Sequence, residues 1–266
     1  MRVILTRPER DARSWVTSLA ESGMHAVALP LIVVGGPSDP QAVVKAWNAL
    51  DRYDALMFVS GNAVDQFFKL KPSAAPEWHA QDAIKTRAFV TGPGSRAALL
   101  RNGVDSACID APDAQGGQFD SEALWALVAA QVQPGFRVLI VRGAGSASVA
   151  GDHGEGVGRD WFARRVQSRG GHVEFVVSYQ RALPAWGPAE LDMARTAAND
   201  GSVWLFSSSE AIANLRTLMP HQSWHQARAV ATHPRIAQAA RDAGFGVVCE
   251  SRPLLGEVVA SIESLQ

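Results

Sequence analysis

The stretch Ala55-Leu-Met-Phe-Val-Ser-Gly-Asn-Ala-Val64 sets the fold class of this 266-residue chain. Its first five residues are apolar without alternation, which is typical of a parallel strand buried on both faces of its sheet. The residues that follow begin a helix, and Ser60 stands where a helix cap is preferred. The same succession returns at Val203-Trp-Leu-Phe-Ser-Ser-Ser-Glu-Ala-Ile212. We therefore predict an α/β protein built from repeated strand-to-helix units.

Further segments pair in the same order along the chain. Arg2-Val-Ile-Leu-Thr-Arg7 matches Arg137-Val-Leu-Ile-Val-Arg142, and RAFVTGPGSRAALLRNGV from Arg87 matches RAVATHPRIAQAARDAGF from Arg228. The helix predicted after Asp120 likewise matches LLGEVVASIESL near the end of the sequence. Generic alternation of strands and helices explains the period but not the shared Ser and Thr-x-Pro punctuation. We predict an internal duplication, with two parallel-sheet domains of the flavodoxin-like or Rossmann-like kind and a functional cleft between them.

Composition excludes several classes of function. Lys and Arg number 25 against 26 Asp and Glu, so no overall field recruits nucleic acid or an anionic membrane. Cys108 and Cys249 lie far apart in apolar runs, which favours buried thiols over a disulfide or a metal site. No signal peptide and no uncharged run long enough to span a membrane is found, so we expect a cytoplasmic protein.

Polar residues gather after the predicted strands, where ligands bind in open α/β sheets because helix N-termini there present free N–H groups. Single caps such as Ser60, Asn62 and Ser208 have a structural alternative, since they stabilise a helix without any ligand. Several such loops with two arginines are better explained by a ligand that carries several acidic groups. The loops are Thr6–Pro8, Ser60–Asn62, Thr91–Pro93, Arg142-Gly143, Ser207–Ser209 and Thr232–Pro234.

Other motifs are absent or ambiguous. No GxGxxG or GxxxxGK[ST] follows a strand, the histidines have no metal-ligand spacing, and no activated nucleophile is found. His233 occupies a strand-end loop and could meet a carboxylate, or it could be an ordinary loop histidine. Arg159 precedes further arginines on a predicted helix that is either a solvated basic face or a ligand contact. Tyr179 ends an apolar run at a domain junction, where its phenol is either a neutral hydrogen-bond donor or a packing group.

An ordered set of motifs resembles the uroporphyrinogen-III synthase family across essentially the whole chain. The glycine-rich stretch Gly143–Gly158 is expected to be a mobile surface loop, and within it only the part around Ser146–Val157 looks like an addition. The matching motifs are LTRP at Leu5–Pro8, LPL at Leu29–Leu31, FVSGNAV at Phe58–Val64, VTGPGSRAAL at Val90–Leu99, VLIVRG at Val138–Gly143, GRDWFA at Gly158–Ala163, SYQR at Ser178–Arg181 and FSSSEAI at Phe206–Ile212.

The resemblance implies a domain plan that the composition could not give. It implies two α/β domains joined by a two-stranded connector, with the first βαβ piece packing with the C-terminal half. The expected domains are residues 1–30 with 183–266, and residues 38–172. The connectors are then residues 31–37 and 173–182.

The resemblance also implies the reaction. The linear tetrapyrrole hydroxymethylbilane loses water, its terminal ring D is inverted, and the macrocycle closes as uroporphyrinogen III without metal or organic cofactor. Such an enzyme of tetrapyrrole biosynthesis is expected to act as a monomer. The alternative from a different class is a non-catalytic two-domain binder of an acidic small molecule.

The eight carboxylates of that substrate require hydrogen-bond donors spread over a large surface. Tyr179 matches the family's tyrosine proposed to help the hydroxyl group depart. Related synthases often have threonines after the proline of the Thr232–Pro234 motif, whereas Arg235 and Ile236 follow here and Arg235 would supply charge instead. The substrate-binding residues predicted are Arg7, Ser60, Asn62, Thr91, Arg142, Gly143, Arg159, Ser207, Ser208, Thr232, His233 and Arg235.

Overall fold

The computed structural model describes residues 1–75, 78, 85–113, 119–145 and 157–265, with the side chains of 157–159 excepted. The glycine-rich segment that the sequence marks as a surface loop therefore lies largely outside the described residues. The chain divides into two compact units. Unit 1 comprises Met1–Val33 and Ala182–Gln266, and unit 2 comprises Val34–Arg181.

Strands and helices alternate along the whole described chain. Unit 1 opens the sequence with β1 (Arg2–Leu5), α1 (Glu9–Glu21) and β2 (His25–Ala28). The middle of the chain forms β3 (Val33–Gly35), α2 (Pro40–Asn48), β4 (Ala55–Phe58), α3 (Gly61–Lys69), β5 (Arg87–Val90), α4 (Pro93–Arg101), β6 (Ile109–Asp110), α5 (Ser121–Val128), β7 (Arg137–Ala144), α6 (Val157–Ser168) and β8 (His172–Ala182). Unit 1 then continues with α7 (Pro188–Ala197), β9 (Val203–Phe206), α8 (Ser209–Leu218), β10 (Arg228–Ala231), α9 (Pro234–Asp242), β11 (Val247–Glu250) and α10 (Leu255–Glu263).

Each unit has one sheet, and the predicted α/β class with parallel strands is confirmed. The strand order is β11-β10-β9-β1-β2 in unit 1 and β3-β8-β7-β4-β5-β6 in unit 2. Parallel pairing joins β1 to β2 and β9 in the first sheet, and β7 to β4 and β8 in the second. The strand sequences are continuously apolar because helices cover both faces of each sheet.

The order of strands follows the sequence repeat. Segments that match in sequence, β1 with β7 and β9 with β4, hold corresponding places when β3 is set aside. The internal duplication stays a prediction, and this correspondence supports it.

Two apolar layers cover the two faces of the unit 2 sheet. One layer contains Leu56, Phe58 and Val141 with the aromatic residues Trp47 and Phe67, whose ring centroids are 4.7 Å apart. The other layer is built on alternate residues of the same strands, Ala55, Met57, Phe89, Val138 and Ile140 among them. Alternation along each strand therefore decides which side chains share a face.

Candidate functional site

Four neighbouring strands of unit 2 bring most of its predicted residues to one edge of the sheet. The strands β8, β7, β4 and β5 are consecutive in the sheet and the described pairs among them are parallel, so their carboxyl ends meet. Ser60 follows β4, Thr91 follows β5, Gly143 lies near the end of β7, and Tyr179 lies in β8. The strand order confirms the sequence prediction that the loops of Ser60, Thr91 and Gly143 share an edge, and it brings Tyr179, predicted at a domain junction, to the same edge.

A β-bulge decides where Tyr179 points. In the β7/β8 pair Arg142 is opposite Val177 but Gly143 is opposite Tyr179, so Ser178 is the extra residue. Such an insertion changes the face on which the next side chain lies. Tyr179 consequently packs in the same apolar layer as Val176, and Ser178 is buried with its hydroxyl donating to the Ala63 carbonyl over 3.1 Å.

The Tyr179 ring rests directly on the backbone of Gly143. A Cβ atom added to Gly143 would lie 2.3 Å from Tyr179 Cζ, so only glycine fits under the ring without a shift. The tyrosine side chain is 3% exposed. The sequence placed Gly143 among the substrate-binding residues. In this structure the absence of a side chain at Gly143 makes room for the Tyr179 ring.

The phenol oxygen of Tyr179 lies 3.1 Å from Ser60 Oγ. Ser60 is also the N-cap of α3, and its Oγ accepts the Ala63 N–H over 3.1 Å. The cap role that sequence allowed for Ser60 is confirmed. Sequence reasoning did not link Ser60 to Tyr179, because the pair is separated by most of unit 2 and meets only through strand order.

The remaining predicted residues of unit 2 are placed differently. Asn62 is not a cap but lies in the first turn of α3, one residue past its start, which corrects the alternative that the sequence allowed. Arg142 points to the face opposite Gly143, and its guanidinium lies 5.3 Å from the Phe175 ring centroid. Arg159 lies in α6, and its side chain is outside the described residues. The structure therefore joins Ser60, Gly143 and Tyr179.

A cavity of about 390 Å³ lies beside the start of α4 in unit 2. Thr91 directly precedes Gly92, the first residue of its lining, but neither Ser60 nor Tyr179 lines the cavity. Volumes of this order are usual for small-molecule sites. Its lining is Gly92, Pro93, Arg96, Ala97, Leu100, Ala111, Pro112, Asp113 and Phe119.

Unit 1 has its own polar edge, where β1, β9 and β10 lie side by side. The Thr6 hydroxyl donates to the Leu205 carbonyl over 2.7 Å, which ties the loop after β1 to β9. Likewise the Thr232 N–H donates to the Phe206 carbonyl over 3.0 Å. The predicted residues Arg7, Ser207, Ser208 and Thr232 therefore stand on three adjacent loops.

Two predicted residues of this edge begin helices. Ser208 caps α8 by accepting the Glu210 N–H over 3.2 Å, as the sequence allowed. His233 caps α9, because its Nδ1 accepts the backbone N–H of Arg235 over 3.1 Å. This bond assigns the ring proton of a neutral His233 to Nε2. The Arg235 side chain is exposed, and its backbone serves the cap.

Arg7 is the residue with the most unusual electrostatics at this edge. Its guanidinium carbon lies 4.4 Å from the Trp15 ring centroid, and its buried Nε has no hydrogen-bond partner among the residues that the structure describes. Burial lowers the pKa of Arg7 to about 10, an effect that the nearby Asp11 carboxylate partly opposes. A desolvated cation with a spare donor is suited to a carboxylate ligand.

Ser209 was not among the predicted binding residues, although it follows Ser208 directly. Its Oγ is buried and, within the described part of the chain, has no hydrogen-bond partner. The run of three serines after β9 was the signal for it. Ser178 was missed for a different reason, since a serine inside an apolar strand gives no sign of a bulge.

The described residues also bear on metal binding and on membrane spanning. No group of three or more His, Cys, Asp or Glu side chains is arranged to hold a metal ion among them. In the same residues no helix has the length and apolar character needed to cross a membrane.

Comparison with known proteins gives concordant results. Residues 13–260 match the model of the family described as uroporphyrinogen-III synthase HemD. Uroporphyrinogen-III synthetase from Helicobacter pylori is similar in structure, with 14% identity, a TM-score of 0.56 and 100% of both chains covered. A mutant uroporphyrinogen III synthase from the extremely thermophilic bacterium Thermus thermophilus has 15% identity and a TM-score of 0.52, with 100% of this chain and 98% of that chain covered. At these identities the structural matches establish the fold.

Proposed function

Because this chain belongs to the uroporphyrinogen-III synthase family, we propose that its substrate is the linear tetrapyrrole hydroxymethylbilane and its product uroporphyrinogen III. Its function lies in tetrapyrrole biosynthesis, and its activity is that of a cofactor-independent cyclase of the lyase type. This places the chain among enzymes and not among non-catalytic binders of acidic molecules. The observation that carries the proposal at residue level is the Tyr179–Ser60 pair seated on Gly143.

Tyr179 supplies the proton in the proposed reaction. The terminal hydroxymethyl group is attached to a pyrrole, whose electrons assist the departure of the hydroxyl group. The phenol gives its proton to that hydroxyl, which leaves as water, and the electron pair of the C–O bond leaves with it. Ring D is inverted as the macrocycle closes, and the proton released from the pyrrole carbon that forms the final bond returns to the phenolate.

The substrate carboxylates require donors that do not take part in the chemistry. We assign this role in unit 1 to the edge formed by Arg7, Ser207, Ser208, Thr232, His233 and Arg235. In unit 2 we assign it to Asn62, Thr91, Arg142 and Arg159. Helices α3, α4, α8 and α9 begin at these two edges, and free N–H groups at helix N-termini add further donors for anions.

The decisive experiment supplies the purified protein with hydroxymethylbilane and separates the porphyrin isomers after oxidation. Uroporphyrinogen III is the expected product. Formation of the I isomer alone, which arises spontaneously, would contradict the proposed function. The sequence also leads us to expect a cytoplasmic monomer. In size-exclusion chromatography the protein should elute with the size of one 266-residue chain.

Arg7 offers a test of carboxylate binding. We expect Arg7→Met to raise KM about tenfold while kcat changes little, because the guanidinium is proposed to contact a substrate carboxylate and not the reacting bond. Because the pKa of Arg7 is lower in the folded state, its positive charge lowers the free energy of unfolding at neutral pH. This destabilisation is lost only as the pH rises through about 10 and the folded protein gives up the proton. The variant should therefore be more stable at neutral pH, by about 1 kcal/mol.

Arg13→Met is the matched control, since Arg13 lies on the same helix in an exposed ion pair with Glu9. It removes one positive charge and should leave KM unchanged. The free energy of unfolding should change by less than about 0.5 kcal/mol. Steady-state kinetics and urea unfolding measure both effects. An unchanged KM for Arg7→Met would remove Arg7 from the binding site.

A further inference from the structure

We propose that Ser60 is a positioning residue for catalysis, one that donates its hydroxyl proton to Tyr179 and thereby leaves the phenol proton for the departing hydroxyl group. This inference rests on the proposed function, in which Tyr179 is the proton donor. It replaces the role of carboxylate ligand that the sequence gave to Ser60.

The hydrogen bonds of Ser60 favour this direction of donation. A serine hydroxyl has one proton to donate and two lone pairs that accept. One lone pair accepts the Ala63 N–H over 3.1 Å, and Tyr179 Oη also lies 3.1 Å from the oxygen. Accepting the N–H polarises the hydroxyl and makes it a stronger donor.

Proton balance during the reaction requires the same direction. When Tyr179 gives its proton to the leaving hydroxyl, its oxygen becomes a phenolate, which can only accept hydrogen bonds. Ser60 then donates to that oxygen, while the proton from Tyr179 ends in the released water. When a pyrrole carbon loses its proton on ring closure, the phenolate takes it up and the starting state is restored.

The helix behind Ser60 adds to the effect. Ser60 is the N-cap of the nine-residue helix α3, whose N-terminus carries a partial positive charge. The negative charge that develops on Tyr179 Oη lies one hydrogen bond from that terminus. With its ring 3% exposed and seated on Gly143, the phenol has little freedom to find another partner. Ser60 and the helix therefore stabilise the state that follows proton transfer.

The chain contains two tyrosines, which makes a direct measurement practical. Protein labelled with 13C at tyrosine Cζ gives two resonances, and Tyr53→Phe assigns the one from Tyr179. We expect Ser60→Ala to shift the Tyr179 resonance and to leave that of Tyr53 in place. With hydroxymethylbilane, kcat should fall about tenfold and KM should change less than about twofold.

Two further variants separate this role from the helix cap. Ser60→Thr keeps a hydroxyl group and should restore both the resonance and kcat. Asp39→Ala removes the N-cap of α2 in the same unit, where Asp39 accepts from Gln41 and Ala42. It should lower stability as Ser60→Ala does while leaving the Tyr179 resonance and kcat unchanged.

The outcomes distinguish the two proposals. A Tyr179 resonance that does not move in Ser60→Ala, or a kcat equal to that of the parent, overturns the role given to Ser60. If the parent protein forms no uroporphyrinogen III, the proposed function fails. The resonance still reports in that case whether Ser60 donates to the phenol.

Discussion

Replacing Tyr179 with phenylalanine should lower kcat about 10²-fold or more while stability falls by only about 1 kcal/mol. The substitution removes one oxygen atom, so the ring keeps its seat on Gly143 and its place in the apolar layer. What is lost is the hydrogen bond to Ser60 and the proton for the departing hydroxyl group. Single-turnover kinetics with hydroxymethylbilane measures the chemical step directly.

Tyr53→Phe is the matched control for this variant. Tyr53 also lies in unit 2, and its phenol donates to Glu174 over 2.9 Å, away from the polar edge. The control loses the same atom and one hydrogen bond, so its stability should fall by a similar amount and its kcat should stay that of the parent. A Tyr179→Phe variant as active as Tyr53→Phe would remove the phenol from the mechanism.

The second large effect is expected for Gly143→Ala. The new Cβ would lie 2.3 Å from Tyr179 Cζ, closer than real contacts allow, so the ring must move. A displacement near 1 Å of a catalytic group costs about 10²-fold in rate. Overpacking of this kind also costs about 1–3 kcal/mol of stability. We expect both losses, with KM affected less than kcat.

A double variant shows whether Gly143 acts through the tyrosine. If it does, Gly143→Ala combined with Tyr179→Phe should be hardly less active than Tyr179→Phe alone, because effects through one group do not add. Gly256→Ala is the control for the substitution itself, since a Cβ there meets no atom within 4 Å. Additive losses in the double variant would show that Gly143 has a separate role.

The structure explains why the sequence predicts one part of the site and not another. Parallel strands buried on both faces leave apolar runs, and polar residues follow several of these runs, so the loops of Ser60, Ser208 and Thr232 are visible in the sequence. Pairing across the sheet leaves no such trace. The bulge at Ser178 depends on how β8 pairs with β7, and it sets the face of the sheet on which Tyr179 lies.

Neighbours in the sequence also proved poor guides to neighbours in space. Arg142 and Gly143 were predicted as one binding loop, yet they lie in a strand and so point to opposite faces. His233 was predicted as a carboxylate contact, and its Nδ1 caps the first turn of α9, which leaves only Nε2 for a ligand. In both cases the backbone geometry of the element, which a single sequence does not specify, determined what the side chain contacts.

The order of strands in unit 1 has a consequence for biosynthesis on the ribosome. Strand β1 lies between β2 and β9, with Val3 opposite Val203, so its second neighbour is made about 200 residues later. At usual elongation rates of about 5–20 residues per second, the nascent β1–α1–β2 piece waits roughly 10–40 s with one strand edge unpaired. Unit 2, continuous in sequence, can fold during that time. An unpaired edge is prone to pair with other chains, so the early nascent chain is where ribosome-associated chaperones have most to protect.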